Sequence, residues 1–151
     1  MKKFMLILIV ALSFSSASWG EWILVTNDDL GSKYYIDFDK LKLSNDNVYF
    51  WTLTNYLIPT VYDDLSVKTY HELDCTKKRE KFLNYIFYKK NMGQGESINY
   101  SPENPEWNYI SENSVGEDIV EMVCAYKNKL KIKFNLTKTD RVFPNKIKNL
   151  Y

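Results

Sequence analysis

The chain has 151 residues, with 20 basic and 19 acidic side chains and a single histidine. So even a balance excludes the global basic footprint of a nucleic-acid-binding domain, and any cationic patch has to be local. The 12 tyrosines, 8 phenylalanines and 4 tryptophans suit half-buried pleated surfaces, which points to a mainly β domain with an aromatic core or an aromatic binding face.

The N-terminus reads as a secretory leader. Met1-Lys2-Lys3 is cationic, Phe4 to Phe14 is apolar, and Ser15 to Gly20 is small and polar apart from Trp19. The apolar run is shorter than the roughly 20 residues that span a bilayer. Small residues allow cleavage after Ala17 or after Gly20. With residues 1–20 removed as a signal peptide, Lys2 and Lys3 are lost and the remaining chain carries a charge near −1, over a length that fits one domain.

Beyond the leader, Glu21 to Thr26 predicts a first strand and Lys33 to Phe38 a second, separated by a turn at Asn27-Asp28-Asp29 and Gly31. Val48 to Leu57 is apolar on both faces over its first half, the pattern of a central strand covered on both sides. Ser66 to Cys75 alternates, and Glu80 to Lys89 is a long aromatic strand closed by Asn91 to Gly95. Ser97 to Trp107, with Pro102 and Pro105, reads as irregular.

At Ser114 the period changes. Val115, Ile119, Met122, Val123 and Tyr126 form one helical stripe, and Ser114 with Glu117 makes a capping box. Cys124 points away from that stripe, which leaves a strand with Val120, Met122, Cys124 and Tyr126 facing inward as the alternative; the specific cap favours the helix. Lys129 to Leu136 alternates strictly, lysines against Leu130, Ile132, Phe134 and Leu136, and predicts an extra C-terminal strand. Residues 137–151 read as a loosely ordered tail expected beyond a domain of residues 21–136.

The reactive inventory is small. No Gly-rich phosphate loop, nucleophile elbow or metal-ligand cluster is present, so no catalytic residue, metal or cofactor is assigned. His71 alternates with Thr69 and Leu73, more in keeping with a packed histidine than with a positioned base. Asp28 beside Asp29, and Asp37 near Asp39, read as turn carboxylates rather than as a glycosidase pair. Two local basic runs, Lys77, Lys78, Arg79 and Lys81, then Lys127, Lys129, Lys131 and Lys133, are candidates for an anionic partner, with a solvated face or a guarded sheet edge as the plainer alternative. Cys75 and Cys124 form an even pair, which in an exported chain is usually a disulfide; two buried thiols are the alternative.

Seven short motifs occur in order: Tyr34-Tyr35-Ile36-Asp37; Trp51-Thr52-Leu53 with Tyr56; Asp74-Cys75 with Arg79; Met92-Gly93-Gln94-Gly95; Trp107 with Ile110; Ser114 with Glu117; and Val123-Cys124. This ordered set, from about Trp22 to Cys124, resembles the bacterial surface-adhesin protein E family. The resemblance implies an α+β fold, an antiparallel sheet of about six strands with a C-terminal helix on one face tethered through Cys75 and Cys124. It further implies a non-enzymatic, exported protein of the periplasm or cell surface that binds host extracellular-matrix proteins of the laminin or vitronectin type and forms a homodimer. Two departures stand out: no cysteine for lipidation follows the leader, and 27 residues lie beyond Cys124.

Overall fold

The computed structural model describes residues 21–142; the expected leader and residues 143–151 of the expected tail lie outside them. Within that span the chain forms an antiparallel meander in strict sequence order, β1 (Trp22–Asn27), β2 (Lys33–Ser44), β3 (Asn47–Asn55), β4 (Ser66–Asp74), β5 (Arg79–Lys90) and β6 (Gln94–Tyr100). A short β7 (Asn108–Tyr109) pairs with the start of β5, and a helix, α1 (Val115–Val142), follows. The β2–β3 hairpin turns on Asn45 and Asp46, with φ of 49° and 65°. Both central residues of a two-residue hairpin of matching twist need positive φ, and Asn and Asp tolerate it best after glycine.

β3 is a central strand between β2 and β4, but it is covered by the helix on one face only and not, as expected, on both. Its Val48, Phe50 and Leu53 are all fully buried. One face of the sheet carries Ile36, Phe38, Val48, Phe50 and Leu73, and Ile119, Val120 and Val123 of α1 pack on it. The helix lies over β1 and β3, and the Phe38 and Tyr126 rings close its flank at 4.7 Å. At the start of α1, Ser114 Oγ accepts the Glu117 N–H at 3.2 Å, while the Glu117 carboxylate accepts the Asn113 N–H at 2.7 Å. The capping box forms with the glutamate reaching one residue further back than usual.

Three further expectations are corrected. The extra C-terminal strand at Lys129 to Leu136 does not exist, because α1 runs unbroken through it and across the expected boundary at residue 136. No proline or glycine interrupts the chain between Gly116 and Pro144, so a capped helix has no stop signal there. The additional strand is instead β7. Second, the stretch expected to be irregular from Ser97 starts as strand: pairing with β5 makes Gln94–Tyr100 the strand β6, and irregular chain begins only at Ser101, ahead of Pro102. Third, the inward stripe of α1 is rotated from the expected one. Met122 is 39% exposed, while Val120 at 4% and Lys127 at 5% are buried.

That rotation resolves the position of Cys124. Val120, Val123, Cys124 and Lys127 stand at i, i+3, i+4 and i+7 on the buried side, and Cys124 bonds Cys75 in the β4–β5 turn with Cα atoms 5.8 Å apart. Among the described residues no cysteine is free and no helix is long and apolar enough to cross a membrane.

The β1–β2 turn is held by Asp28, whose Oδ1 accepts the N–H groups of Leu30 and Ser32 at 3.0 and 2.8 Å and whose Oδ2 accepts the Tyr34 hydroxyl at 3.0 Å. Burial, then the hydrogen bond to Asp28 and its charge, push the Tyr34 phenol up to about 12.

Two outcomes follow. Replacing both cysteines by serine closes no loop across the 49-position separation, and should cost about 4 kcal/mol, read as a lower denaturant midpoint that reductant no longer changes. Because the folded state holds the Tyr34 proton more tightly than the unfolded value of 10.0, its contribution is intact below pH 10 and drains away as pH rises towards about 12. Y34F should therefore lose less stability than the wild type over that interval, measured by denaturant midpoints across the alkaline range.

Candidate functional site

The sheet face opposite α1 gathers aromatic and cationic side chains. Alternation along β3 and β4 sends Phe50 and His71 to the helix side and Tyr49, Trp51, Lys68, Tyr70 and Glu72 to the other. Trp51 and Tyr70, cross-strand partners, stack at 4.8 Å, and Tyr49 lies 6.3 Å from Tyr70. Glu72 Oε1 accepts both the Asn47 amide at 2.7 Å and the Tyr49 hydroxyl at 2.9 Å. Burial and then this bond to Glu72 raise the Tyr49 phenol above its usual range. The stacked pair is half-buried, so its rings remain reachable from solvent.

One end of this face is basic. Arg79 and Lys81 stand over the Trp107 ring at 4.4 and 4.8 Å. Asp74 orders the adjoining turn: Oδ1 accepts the N–H groups of Thr76 and Lys77, each at 3.1 Å, and Oδ2 takes the Arg79 Nε at 3.3 Å. Burial pushes this carboxyl up, but the bonds from Lys77, Arg79 and Thr76 together outweigh it and hold the pKa below the usual value. Lys77 and Lys78 lie exposed in the same turn. The structure thus brings the first basic run together, and adds Trp107 as the flat surface on which two of its members rest, a partner that only the β5–β7 pairing reveals.

The second run is divided. Lys127 is 5% exposed and its ammonium donates to the Asp46 carbonyl, so it is a buried anchor and not part of a surface patch. Lys131 meets Asp46 Oδ1 at 3.1 Å. The bond to Lys131, its charge and that of Lys127 lower the Asp46 pKa. Helical spacing places Lys129 and Lys133 together on a different side from Lys127 and Lys131. Lys129 borders a shallow hollow with Ile23, Phe38, Met122 and Tyr126, and Lys133 is exposed.

His71 is a core residue, 5% exposed and stacked on Phe50 at 4.7 Å. Its Nε2 lies 2.8 Å from Thr52 Oγ1 and its Nδ1 2.7 Å from Glu80 Oε2. Hydroxyl, imidazole and carboxylate stand in the order of a nucleophilic relay. Thr52 at 3% and Glu80 at 7% exposure seal it inside the fold, where it serves to satisfy three buried polar groups. Glu80 escaped the sequence reading because its distance from His71 depends on the β4–β5 register. No set of three or more His, Cys, Asp or Glu side chains among the described residues is placed to hold a metal ion.

A single antiparallel sheet with a disulfide-tied helix on one face, its other face open and bearing Trp51, Tyr70, Trp107 and Arg79, defines a small two-layer α+β module. Residues 22–125 match the family of surface-adhesin protein E, and the chain belongs to that family. A comparison with curated protein sequences finds no match. Solved structures of Haemophilus influenzae protein E share the fold. One is 23% identical, covering 76% of this chain and 91% of its own at a TM-score of 0.52. A second crystal form is 20% identical over 74% of this chain and 92% of its own, also at 0.52. Protein E from a non-typeable strain is 19% identical over 76% and 82%, at 0.51.

Removing the Glu80 carboxylate with E80A leaves the His71 Nδ1 side without its partner in the core. This should lower stability by about 1–3 kcal/mol, read from denaturant midpoints, while the open face keeps its structure.

Proposed function

We propose that the protein is an exported, non-enzymatic surface adhesin that docks a protein partner on the helix-free face of its sheet. The observation that carries this reading is the concentration there of half-buried Trp51, Tyr70 and Trp107 with Arg79 and Lys81, the residue types that dominate binding energy at protein interfaces. The cationic end supplied by Lys77, Lys78, Arg79 and Lys81 suits a partner with an acidic surface, and steers its approach. Family membership supports an adhesin at the cell surface. The leader at residues 1–20 and the disulfide support export into an oxidising compartment, the periplasm or beyond. The partner proposed is a host extracellular-matrix protein of the laminin or vitronectin type. β6, exposed along its whole length at the margin of the sheet, is the edge through which a homodimer would form.

Immobilised laminin, vitronectin and heparin, probed with the purified protein, test the assignment. The wild type should bind at least one of the two proteins. Paired R79A and W107A should weaken that binding roughly thirtyfold, the scale of losing an interface anchor of about 2 kcal/mol. Neutralising Lys129 and Lys133 should leave it within about twofold, as for charges at the rim of an interface. Absence of binding to either protein, or loss of binding only on changing Lys129 and Lys133, would overturn the proposal.

A further inference from the structure

On the helix-free face, away from the Arg79–Trp107 end, lies a hollow of about 160 Å³ walled by Trp22, Trp51 and Tyr88, floored by Asp37 and rimmed by Lys40 and Lys68. Strand register builds it. Asp37 on β2 sits directly opposite Trp22 on β1 and Trp51 on β3, so two indoles flank one carboxylate. Beyond Asp37 the β2–β3 pairing lapses until Lys42, and the bulge in between delivers Lys40 to the rim.

The carboxylate is unusual in its partners. Asp37 is fully buried. Its Oδ1 accepts the Lys40 N–H at 3.2 Å and so holds the bulge together. Its Oδ2 is 3.0 Å from Lys40 Nζ, within ion-pair range, but accepts no hydrogen bond. The charge on Oδ2 is thus answered only by a surface ammonium, a partner that holds a buried carboxylate loosely. The bulge backbone is held through Oδ1, and Oδ2 meets only the Lys40 ammonium. The Lys40 side chain, 58% exposed, is free to swing aside and uncover Oδ2.

Lys68 completes the rim, with its ammonium 5.8 Å from the Trp22 ring centre and 5.0 Å from that of Tyr88. Gly93, at φ +65°, lies against the Lys68 stem, where a Cβ would collide with Cε. Burial and then repulsion by Lys40 lower the pKa of Lys68, with Asp37 opposing them. Two ammoniums against one carboxylate leave the hollow with a net positive charge.

We propose that this hollow is a subsite for one acidic sugar ring, a uronic or sialic acid unit of a glycan. Its volume of about 160 Å³ equals that of about five waters, at roughly 30 Å³ each, which suits a single ring and not an extended ligand. The indole faces stack on the C–H faces of a pyranose, Asp37 Oδ2 accepts one ring hydroxyl, and Lys40 and Lys68 pair with the sugar carboxylate. A cationic ligand would meet two ammoniums, and a neutral sugar would leave the excess positive charge unanswered. The Trp51–Tyr70 stack continues the aromatic floor towards a second ring. The hollow shares the Trp51–Tyr70 stack with the docking face but not Arg79 or Trp107, so changes at Lys40 and Trp22 test the sugar subsite apart from protein docking.

Titration of the purified protein with glucuronic acid and with N-acetylneuraminic acid tests it. Glucose and sodium acetate at matched ionic strength are the controls, read by tryptophan emission and by saturation transfer to the sugar protons. Saturable binding of either acidic sugar, with neither control binding comparably, is the expected result. K40Q should weaken it roughly tenfold, the scale of one lost charged hydrogen bond. W22A should abolish it and W22F should keep most of it, each with a far-ultraviolet dichroism spectrum like the wild type. Absence of saturation with both acidic sugars, equal binding of glucose or acetate, or binding unchanged in both K40Q and W22A would overturn the proposal.

Discussion

The bond between Cys75 and Cys124 joins the β4–β5 turn, at the basic end of the sheet, to α1. On its account α1 can pack on only one face and in only one rotation, with Val120, Val123 and Lys127 turned inward. A helix resting on half a sheet through a handful of aliphatic side chains has a modest hydrophobic contribution. The covalent tie removes the alternatives in which it lifts away, slides or turns, and it commits the opposite face to solvent.

That division of faces accounts for most of the polar design. On the covered side, polar groups are paired internally: His71 between Thr52 and Glu80, and Lys127 on the Asp46 carbonyl. On the open side the polar groups are only partly used within the chain. Glu72 accepts from Asn47 and Tyr49 through one oxygen, Arg79 and Lys81 rest on Trp107, and Asp37 keeps one oxygen without a hydrogen bond. Core groups minimise unsatisfied capacity, and binding faces hold some in reserve.

β5 links the two sides of this arrangement. Its first residues pair with β7 and set Trp107 beneath Arg79 and Lys81, while its later residues pair with β6 and hold Phe87 and Tyr85 on the helix side beyond the reach of α1. A twelve-residue strand shared between two short partners is how a small meander builds a basic aromatic corner and a long open edge.

Local pattern alone was enough to place the strands β1 to β5 and the start of α1, since alternation and a capping box act over a few positions, but it ended β2 at Phe38, six residues short of Ser44. The two cysteines and the ordered motifs indicated the tether. Pattern failed where a longer-range partner overrode it. Lys129 to Leu136 alternates like a strand but has no strand to pair with, and it continues a helix already nucleated upstream. Ser97 to Tyr100 read as irregular chain until β5 supplied hydrogen-bond partners. The open face was legible as an excess of tyrosine and tryptophan and no further. Which aromatic ring stands beside which charge, Trp107 under Arg79 or Trp22 and Trp51 about Asp37, is settled by strand register, and a one-residue slip would send those side chains to the opposite face.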